Sequence, residues 1–498
     1  MRKSLLFLLA GCLAVSNVTA QEYKTPGNKV SLTFTSLSET PGSGVTKLGD
    51  TFYVSNDITV LETDTLTIEN EAVLTLSPKV QILIEGVGNF APADTAVIMS
   101  ADDTAGAKGL RFSGDNASGT VKNIGFETTA LLSYASNGIT VENCTFNRAN
   151  GEMNSTGAVS FGPSVNNVIR NCRFLEGTVP AIGTGANIAA GILIENCYFY
   201  DNNTINANKP QLNITTPGAN GPTIIRNNEI IGNQRDKVGG VAISNMLGLE
   251  MGEVIFENNL IQDHRYGMQA MGGMYITIKD NMFIDNRYDT NPMTGGSALS
   301  ITDSTGALFA MVTGNLFQGS IWGITAIGSG ANGFGEVNLG NIDPVDSADY
   351  NPGGNVFIDN GNNGSVYDPT VPYDLYNNST KTIYAQCNTW SVAEQTAEEI
   401  EKVIFHKNDN PLLGEVIFMP AGPASVSGVV NDMSVYYDSV TRNIVSPGTA
   451  NITIYDGSGR MVVKAKAVET VNLASLPKGV YVVDVEKDSK VNRLKVLR

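Results

Sequence analysis

A short phrase recurs along the chain and restricts the possible folds more than any other feature. It reads apolar residue, two positions, Asn or Cys, one position, then Phe or Ile, as in VENCTF, IRNCRF, IENCYF, IRNNEI, FENNLI, IKDNMF and VTGNLF. The copies end at Phe146, Phe174, Phe199, Ile230, Ile261, Phe283 and Phe317, with degenerate copies at Phe126, Phe357 and Trp390, 20 to 40 residues apart. Such a period predicts supersecondary units that each pack only on their neighbours.

The residues between the copies indicate what each unit is. β-branched residues, Gly and Asn dominate and helical periodicity is weak, so each copy reads as one coil of short strands. With the alternating apolar residues of 51–86, the chain resembles the right-handed parallel β-helix family, the pectin-lyase-like fold, from about Thr51 to Pro420. The resemblance implies an all-β solenoid. It does not select an activity, because the family includes polysaccharide lyases, glycoside hydrolases, epimerases, phage tailspikes and adhesins.

The two ends of the chain predict export. Residues 1–20, MRKSLLFLLAGCLAVSNVTA, have the basic start, apolar run and small-residue end of a signal peptide, with cleavage after Ala20. An alternative remains open, because Leu9-Ala10-Gly11-Cys12 resembles a lipoprotein box that would place a lipid on Cys12. No later apolar run approaches the roughly 20 residues that a membrane helix needs.

The last 70 residues predict a separate small domain. After the Gly/Pro/Ser-rich segment 421–428, residues 429–498 alternate as the strands of a β-sandwich. This segment resembles the C-terminal sorting domain of type IX secretion cargo in Bacteroidetes, and the resemblance implies that the secretion machinery recognises it. The matching residues are Ile454, Tyr455, Asp456, Gly459, Arg460, Leu473, Leu476, Gly479, Val480, Tyr481 and Lys495.

Between these ends we place the β-helix at residues 21–425. Its opening coils come first, and residues 391–420 form a C-terminal cap that contains a short helix after Ser391 and a capping residue, His406. The balance of 32 basic and 49 acidic residues, a net charge of −17, argues against nucleic acid or an anionic membrane as the main partner. We expect a secreted or cell-surface protein.

The cysteines share a position with asparagines. Cys144, Cys172 and Cys197 occupy the slot that later coils fill with Asn228, Asn259, Asn281, Asn315, Asn355 and Asn388, whereas Cys387 is one place off. Adjacent coils are about 4.8 Å apart, so these side chains should stack in one turn. We predict an amide ladder continued by unbridged buried thiols, with a disulfide within the trio and a metal site as the alternatives.

One repeated segment carries more chemistry than the rest. Asp263-His264-Arg265-Tyr266 returns 22 residues later as Asp285-Asn286-Arg287-Tyr288, and each copy starts two residues after the end of a phrase. A shift of 22 residues is therefore one coil, and equivalent residues should be neighbours. One interpretation is a surface ladder of opposite charges that needs no substrate.

The other interpretation of that segment is a polysaccharide site. Lyases of uronate sugars need a cation to neutralise the carboxylate and a base to remove the adjacent proton. The candidates for these catalytic roles are Arg265, Arg287, His264 and Lys279; Tyr266 and Tyr288 would bind substrate, and Asp263 and Asp285 would bind calcium. A lyase is favoured over a glycoside hydrolase, because side-by-side identical aspartates lack the different environments that an acid and a nucleophile need.

Long insertions interrupt the coils at 201–222, 288–299, 328–352 and 359–381. They are rich in Asn, Gly, Pro and Asp, and insertions on a solenoid often form its binding rim. Their amides, hydroxyls and tyrosines suit sugars. Two functions therefore remain open: a surface protein that binds or cleaves polysaccharide, and a non-catalytic adhesin or structural spike.

Overall fold

The computed structural model describes residues 21–150, 156–185, 188–215, 220–248, 250–289, 295–328, 333–361, 373–422, 436–438, 442–456, 460–477, 480–487 and 490–497. The predicted leader with Cys12 lies outside these residues. The described chain is nearly all β, as the sequence predicts. Its described residues fall into two compact units, one within Met1–Ile224, Ile230–Ile255 and Asp263–Tyr275 and the other within Ile225–Glu229, Phe256–Gln262 and Ile276–Arg498.

In the first unit, successive strands join three sheets in turn, which we call C, A and B, and one pass through the three is one coil. Pairing is parallel throughout, except that Val45–Leu48 pairs antiparallel with Thr51–Val54. The strands of sheet A are Glu22–Lys24, Asp57–Val60, Gln81–Ile84, Gly109–Gly114, Leu131–Ala135, Val159–Phe161, Ile182–Thr184, Leu212–Thr215, Val241–Asn245 and Met268–Gly272. Those of sheet B are Ser31–Thr33, Thr65–Thr67, Val87–Phe90, Ser118–Lys122, Thr140–Glu142, Ser164–Arg170 and Ala190–Glu195. Those of sheet C are Val45–Leu48, Thr51–Val54, Val73–Leu76, Ala96–Ser100, Ile124–Glu127, Thr145–Asn147, Arg173–Leu175 and Tyr198–Tyr200.

The second unit repeats the same winding. Its sheet A strands are Ser297–Asp303, Trp322–Gly328, Leu375–Asn378 and Ile404–Phe405, and its sheet C strands are Leu260–Gln262, Met282–Ile284, Leu316–Gln318 and Val356–Ile358. Its sheet B strands are Phe309–Thr313, Glu336–Gly340, Ile383–Ala385 and Val416–Ile417. Four strands contain points where the chain passes from one unit to the other: Thr223–Arg226, Glu229–Ile231, Glu253–Glu257 and Tyr275–Lys279.

The predicted phenylalanine column is present inside each unit. In the first unit Phe126, Phe146, Phe174 and Phe199 are in register, and successive ring centroids lie 4.5, 4.8 and 4.9 Å apart. In the second unit Phe283, Phe317, Phe357 and Trp390 stack at 5.2, 5.1 and 4.9 Å. All eight rings are buried. The repeat phrase therefore marks the pitch of the winding, and the prediction of a parallel β-helix is confirmed.

A ladder of buried amides holds the turn that enters sheet C in the second unit. The Asn281 side-chain oxygen accepts hydrogen bonds from the backbone N–H and the Nδ2 of Asn259, at 2.9 and 3.0 Å. The same two hydrogen bonds join each neighbouring pair of asparagines along one column. Its members are Asn228, Asn259, Asn281, Asn315, Asn355 and Asn388. Each rung satisfies buried polar groups without water.

The cysteines continue this pattern in the first unit. Cys144, Cys172 and Cys197 are buried free thiols, and the Cys172 N–H donates to the Cys197 Sγ at 3.4 Å. Cys387 lies one residue before Asn388, in the left-handed conformation (φ 58°) that Asn143, Asn171 and Asn196 adopt at the equivalent place. The prediction of unbridged packing is confirmed, and the offset of Cys387 is explained by this turn.

Short helices occur at Phe34–Ser38 and Ala397–Glu401, with a 3-10 helix at Ser347–Asp349. The helix near residue 400 begins later than the sequence predicts. Its N-cap is Thr396, because Gln395 holds the preceding turn through two 2.9 Å hydrogen bonds with the backbone of Trp390. Ser391, the expected cap, instead donates to Asp374.

The C-terminal segment forms a separate antiparallel sheet. Its strands are Tyr436–Asp438, Asn443–Asp456, Met461–Asn472, Val480–Lys487 and Lys490–Leu497. The long strand Asn443–Asp456 pairs with three of the others. A buried cluster that includes Ile452, Ile454, Leu473 and Val483 forms its core. The segment predicted as a C-terminal β-sandwich is thus a small antiparallel sheet with a hydrophobic core of its own.

The amide ladder makes a testable contribution to stability. Asn281→Ala removes both hydrogen bonds from Asn259 and the bond from Asn281 Nδ2 to the Phe256 carbonyl. We expect the variant to lose about 1–3 kcal/mol of unfolding free energy, since buried donors are left unsatisfied. Urea denaturation of the full chain, followed by circular dichroism, measures this loss. Asn116→Ala, at an exposed asparagine, is the control, and an equal effect of the two substitutions would contradict the ladder's role.

Candidate functional site

The repeated aspartates of the sequence-predicted site occupy a turn that requires a special conformation. Asp263 and Asp285 both have positive φ, 62° and 51°, two residues after Ile261 and Phe283. Other coils place Thr128, Arg148, Glu176, Asp201 and Asp359 in the same conformation at the equivalent position. Asp tolerates the left-handed region better than most residues. The aspartates therefore have a conformational reason to recur, and calcium binding stays a prediction.

His264 lies inside the solenoid rather than on its surface. It is 1 % exposed, and its Nε2 lies 2.8 Å from the Gln211 amide. It follows the left-handed residue, as Asn202, Asn286 and Asn360 do in other coils, where each amide donates to a backbone carbonyl. The small cavity beside His264, lined by residues that include Gln211 and Asp263, is too narrow to hold a water molecule. A substrate therefore does not reach this imidazole in the structure.

Tyr266 is also buried, at 5 % exposure, and burial raises its pKa above the ordinary value. Its ring packs so closely on Gly239 that a Cβ there would lie 2.1 Å from it. Tyr266 is therefore a packing residue and does not offer its ring to a sugar. Arg265 is half-buried and donates to Asn208 Oδ1 at 2.6 Å.

The remaining predicted residues are more accessible. Arg287 and Tyr288 are half-buried, and Lys279 is exposed with its Nζ 4.0 Å from Asp280. Their catalytic and substrate-binding roles stay predictions.

A different region offers a preformed groove. It lies on the outer face of sheet B in the second unit, over the strands Phe309–Thr313, Glu336–Gly340 and Ile383–Ala385. Phe309 is in register with Glu336, and Asn338 with Tyr384. The groove has a volume of about 400 Å³. Its lining residues are Phe309, Glu336, Val337, Asn338, Asn341, Asp343, Pro344, Val345, Asp349, Lys381, Thr382 and Tyr384.

Sheet B forms one wall of the groove, and the loop 341–351 forms the other. The two ends of this loop are hydrogen-bonded to each other. Asn341 and Asn351 exchange backbone hydrogen bonds of 2.8 and 2.9 Å. The buried Asn351 side chain donates to the carbonyls of Val312 and Asn338, at 3.1 and 2.8 Å. Asn338 in turn donates to the Asp349 carbonyl at 2.6 Å. These bonds fix the loop against sheet B, so the groove does not need a ligand to form.

The groove is acidic and carries two aromatic rings. Glu336, Asp343 and Asp349 contribute three carboxylates, and Lys381 is the one cation among the lining residues. Tyr384 is 39 % exposed and Phe309 is half-buried. The sequence predicts 328–352 as one of four insertions that could form a binding rim, but it does not single out Glu336, Asp343 or Asp349. Part of this predicted insertion is the regular strand Glu336–Gly340. Phe309 and Tyr384 lie outside all four predicted insertions.

The described residues contain one cluster with the composition of a metal site: Glu401, His406 and Asp409. His406 Nδ1 accepts from the Val416 N–H at 2.8 Å, so Nε2 carries the proton and donates to Glu401 at 2.9 Å. The backbone N–H of His406 donates to the Asp409 carboxylate. Because both ring nitrogens are engaged, this arrangement fits a structural cap and not a metal ion.

Asp374 carries a buried carboxyl. It is 0 % exposed and accepts from the Ser391 N–H and Oγ at 2.7 and 2.9 Å and from Asn360 Nδ2 at 3.2 Å. Burial disfavours the ionised form and raises its pKa to about 6. Its hydrogen bonds tie Ser391 and Asn360 together, which is a structural role.

Two family profiles match the chain. A right handed beta helix region spans residues 108–339, and a secretion system C-terminal sorting domain spans residues 437–497. The chain is a parallel β-helix protein with a type IX secretion sorting domain. It is exported to the cell surface or released. Among the described residues, no helix is long and apolar enough to cross a bilayer.

The β-helix protein is also similar to solved structures at low identity. The periplasmic alginate epimerase AlgG shares 12 % identity at a TM-score of 0.48, over 78 % of this chain and 83 % of that one. The tailspike receptor-binding protein of bacteriophage Det7 shares 9 % at a TM-score of 0.34, over 96 % and 85 %. Tailspike protein 3 of bacteriophage CBA120 shares 11 % at a TM-score of 0.36, over 84 % and 64 %. No curated protein matches the chain.

The conformational account of the repeated aspartates predicts different effects for two substitutions at Asp285. Asp285→Asn should leave the urea midpoint nearly unchanged, because Asn also tolerates positive φ. Asp285→Val should lose about 1–2 kcal/mol, since a β-branched side chain is strongly disfavoured at positive φ. Equal losses from the two substitutions would contradict this account. Calorimetric titration of wild type and Asp285→Asn with calcium tests the metal prediction separately. If Asp285 binds calcium, the loss of its carboxylate in Asp285→Asn should weaken calcium binding.

Asp374 predicts a pH dependence of stability. Its pKa is about 6 when folded and near the ordinary 3.8 when unfolded, so the folded state binds more protons between these values. The contribution of Asp374 to stability should therefore decrease as pH rises from about 4 to about 6 and then level off, by up to about 3 kcal/mol at about 1.4 kcal/mol per pKa unit. Urea midpoints of wild type and Asp374→Asn at four pH values test this. The difference between the two proteins should change within that window, whereas Asp94→Asn should track wild type.

Proposed function

We propose that the β-helix protein binds a polysaccharide at the bacterial surface through the groove on sheet B. The observation that carries this proposal is a fixed groove of about 400 Å³ lined by carboxylates, amides and two aromatic rings. Sugar hydroxyls donate to carboxylates and amide oxygens, and sugar faces pack on aromatic rings.

Binding is favoured over uronate cleavage in this groove. A uronate lyase needs cations around the substrate carboxylate, and the lining offers one, Lys381, against three carboxylates. The cationic residues predicted for that chemistry, Arg265 and Arg287, do not line the groove. Assays for reducing ends and for unsaturated products on the same ligands would detect cleavage if this reasoning is wrong.

Tyr384 provides the direct test of binding. Affinity electrophoresis of the full chain in neutral, amine-bearing and uronate polysaccharides should identify at least one ligand. For that ligand, Tyr384→Ala should weaken binding about two- to twelvefold, from the loss of about 0.5–1.5 kcal/mol of ring stacking.

Tyr53→Ala is the matched control, because Tyr53 is exposed to a similar degree, 45 % against 39 %, and does not line the groove. It should bind as wild type does. If no polysaccharide is retarded, or if Tyr384→Ala binds as tightly as wild type, the proposal fails. The alternative of a non-catalytic structural spike would then be favoured.

A further inference from the structure

We infer that the groove selects its ligand by charge and takes polysaccharides that carry free amines, such as polymers of deacetylated amino sugars. This inference rests on the proposed function and adds the substrate class to it. The relevant observations are the excess of carboxylates in the lining, the lack of cations paired with them, and a contrasting arrangement elsewhere on sheet B.

The carboxylates of the groove have no ion-pair partner among the described residues. Within the part of the chain that the structure describes, no ion pair involves Glu336, Asp343, Asp349 or Lys381. Glu336 and Asp343 are exposed, and Asp349 is half-buried. On the strand Phe309–Thr313 the cross-strand neighbour of Glu336 is Phe309, which carries no charge.

An outward carboxylate of sheet B in the first unit is treated differently. Glu142 is in register with Lys122 on one side and Arg170 on the other. Both cations contact it, at 3.3 and 3.2 Å, and their hydrogen bonds outweigh burial and lower its pKa. Cross-strand neutralisation is therefore available to this fold. The groove, which holds more carboxylates, lacks it.

An ammonium group complements such a groove. It offers three N–H donors and no acceptor, whereas carboxylates offer only acceptors, so each new hydrogen bond is assisted by charge. A uronate would bring a fourth carboxylate against the same residues, and this repulsion excludes it. Asp343 and Asp349 lie on the loop 341–351, which is hydrogen-bonded to sheet B. Because the loop is already ordered, ligand binding does not have to meet the entropic cost of ordering it.

A matched pair of ligands tests the inference. Glucosamine hexamer and its fully N-acetylated counterpart share one backbone and differ in the charged amine. Calorimetric titration of the full chain at low salt should show about tenfold tighter binding of the amine form, the effect of two or three exposed ion pairs. Raising the salt to about 1 M should reduce this preference, because the screening length falls to about 3 Å.

The triple variant Glu336→Gln, Asp343→Asn, Asp349→Asn should lose the preference and bind both hexamers equally. Its control is Asp50→Asn, Asp94→Asn, Glu253→Gln, which changes net charge by the same amount at exposed acidic residues that do not line the groove. The control should keep the preference. If it loses the preference too, the effect comes from overall charge and the inference is wrong.

The outcomes separate the inference from the proposed function. If the two hexamers, or a uronate polymer, bind with equal affinity and Tyr384→Ala weakens that binding, the groove is a polysaccharide site without charge selection. The inference is then overturned while the proposed function stands. If no ligand binds in a manner sensitive to Tyr384→Ala, both are overturned.

Discussion

The turn that leads into sheet C is the constraint on which the rest of this solenoid depends. Each coil bends there next to a buried polar residue such as Asn259 or Asn281, and buried polar groups need partners other than bulk water. In the second unit the partner is the Asn side chain of the next coil, as Asn281 shows for Asn259. The residue before each rung has positive φ, as at Asn258 and Asp280. In the second unit, amide stacking and this left-handed turn support the register that aligns the aromatic column of Phe283, Phe317, Phe357 and Trp390.

This constraint explains how much of the fold the sequence could predict. An inward-facing residue packs against the residue at the equivalent position one coil away. The spacing of the repeat alone therefore predicted that Phe283 stacks on Phe317 and that the Cys172 thiol occupies the position of the amides. The start of the helix Ala397–Glu401 was not, because Gln395 fixes the preceding turn through contacts that no repeat reports. The groove was predicted only as an insertion, since its wall depends on hydrogen bonds such as that from Asn351 to Val312, 39 residues earlier.

The same logic separates two kinds of repetition in the segment Asp263–Tyr288. Residues that repeat at one-coil spacing can do so because every coil needs the same backbone conformation at that position. Asp263 and Asp285 both adopt the positive φ that this turn requires. His264 fills an internal slot that Asn286 fills one repeat later, and each is buried. A chemical interpretation of the repeated residues was reasonable from residue type. Burial removes two of them, His264 and Tyr266, from contact with solvent.

Function in such a fold is therefore expected where repetition ends. Outward positions and insertions can differ between coils without disturbing the ladder, because their side chains do not take part in stacking. Glu142 and Glu336 both project from strands of sheet B, yet one is clamped between two cations and the other faces an open groove. The difference lies in the surrounding residues and not in the coil. An unpaired carboxylate gains no stability from an ion pair within the fold, so its interaction with charge remains available to a ligand.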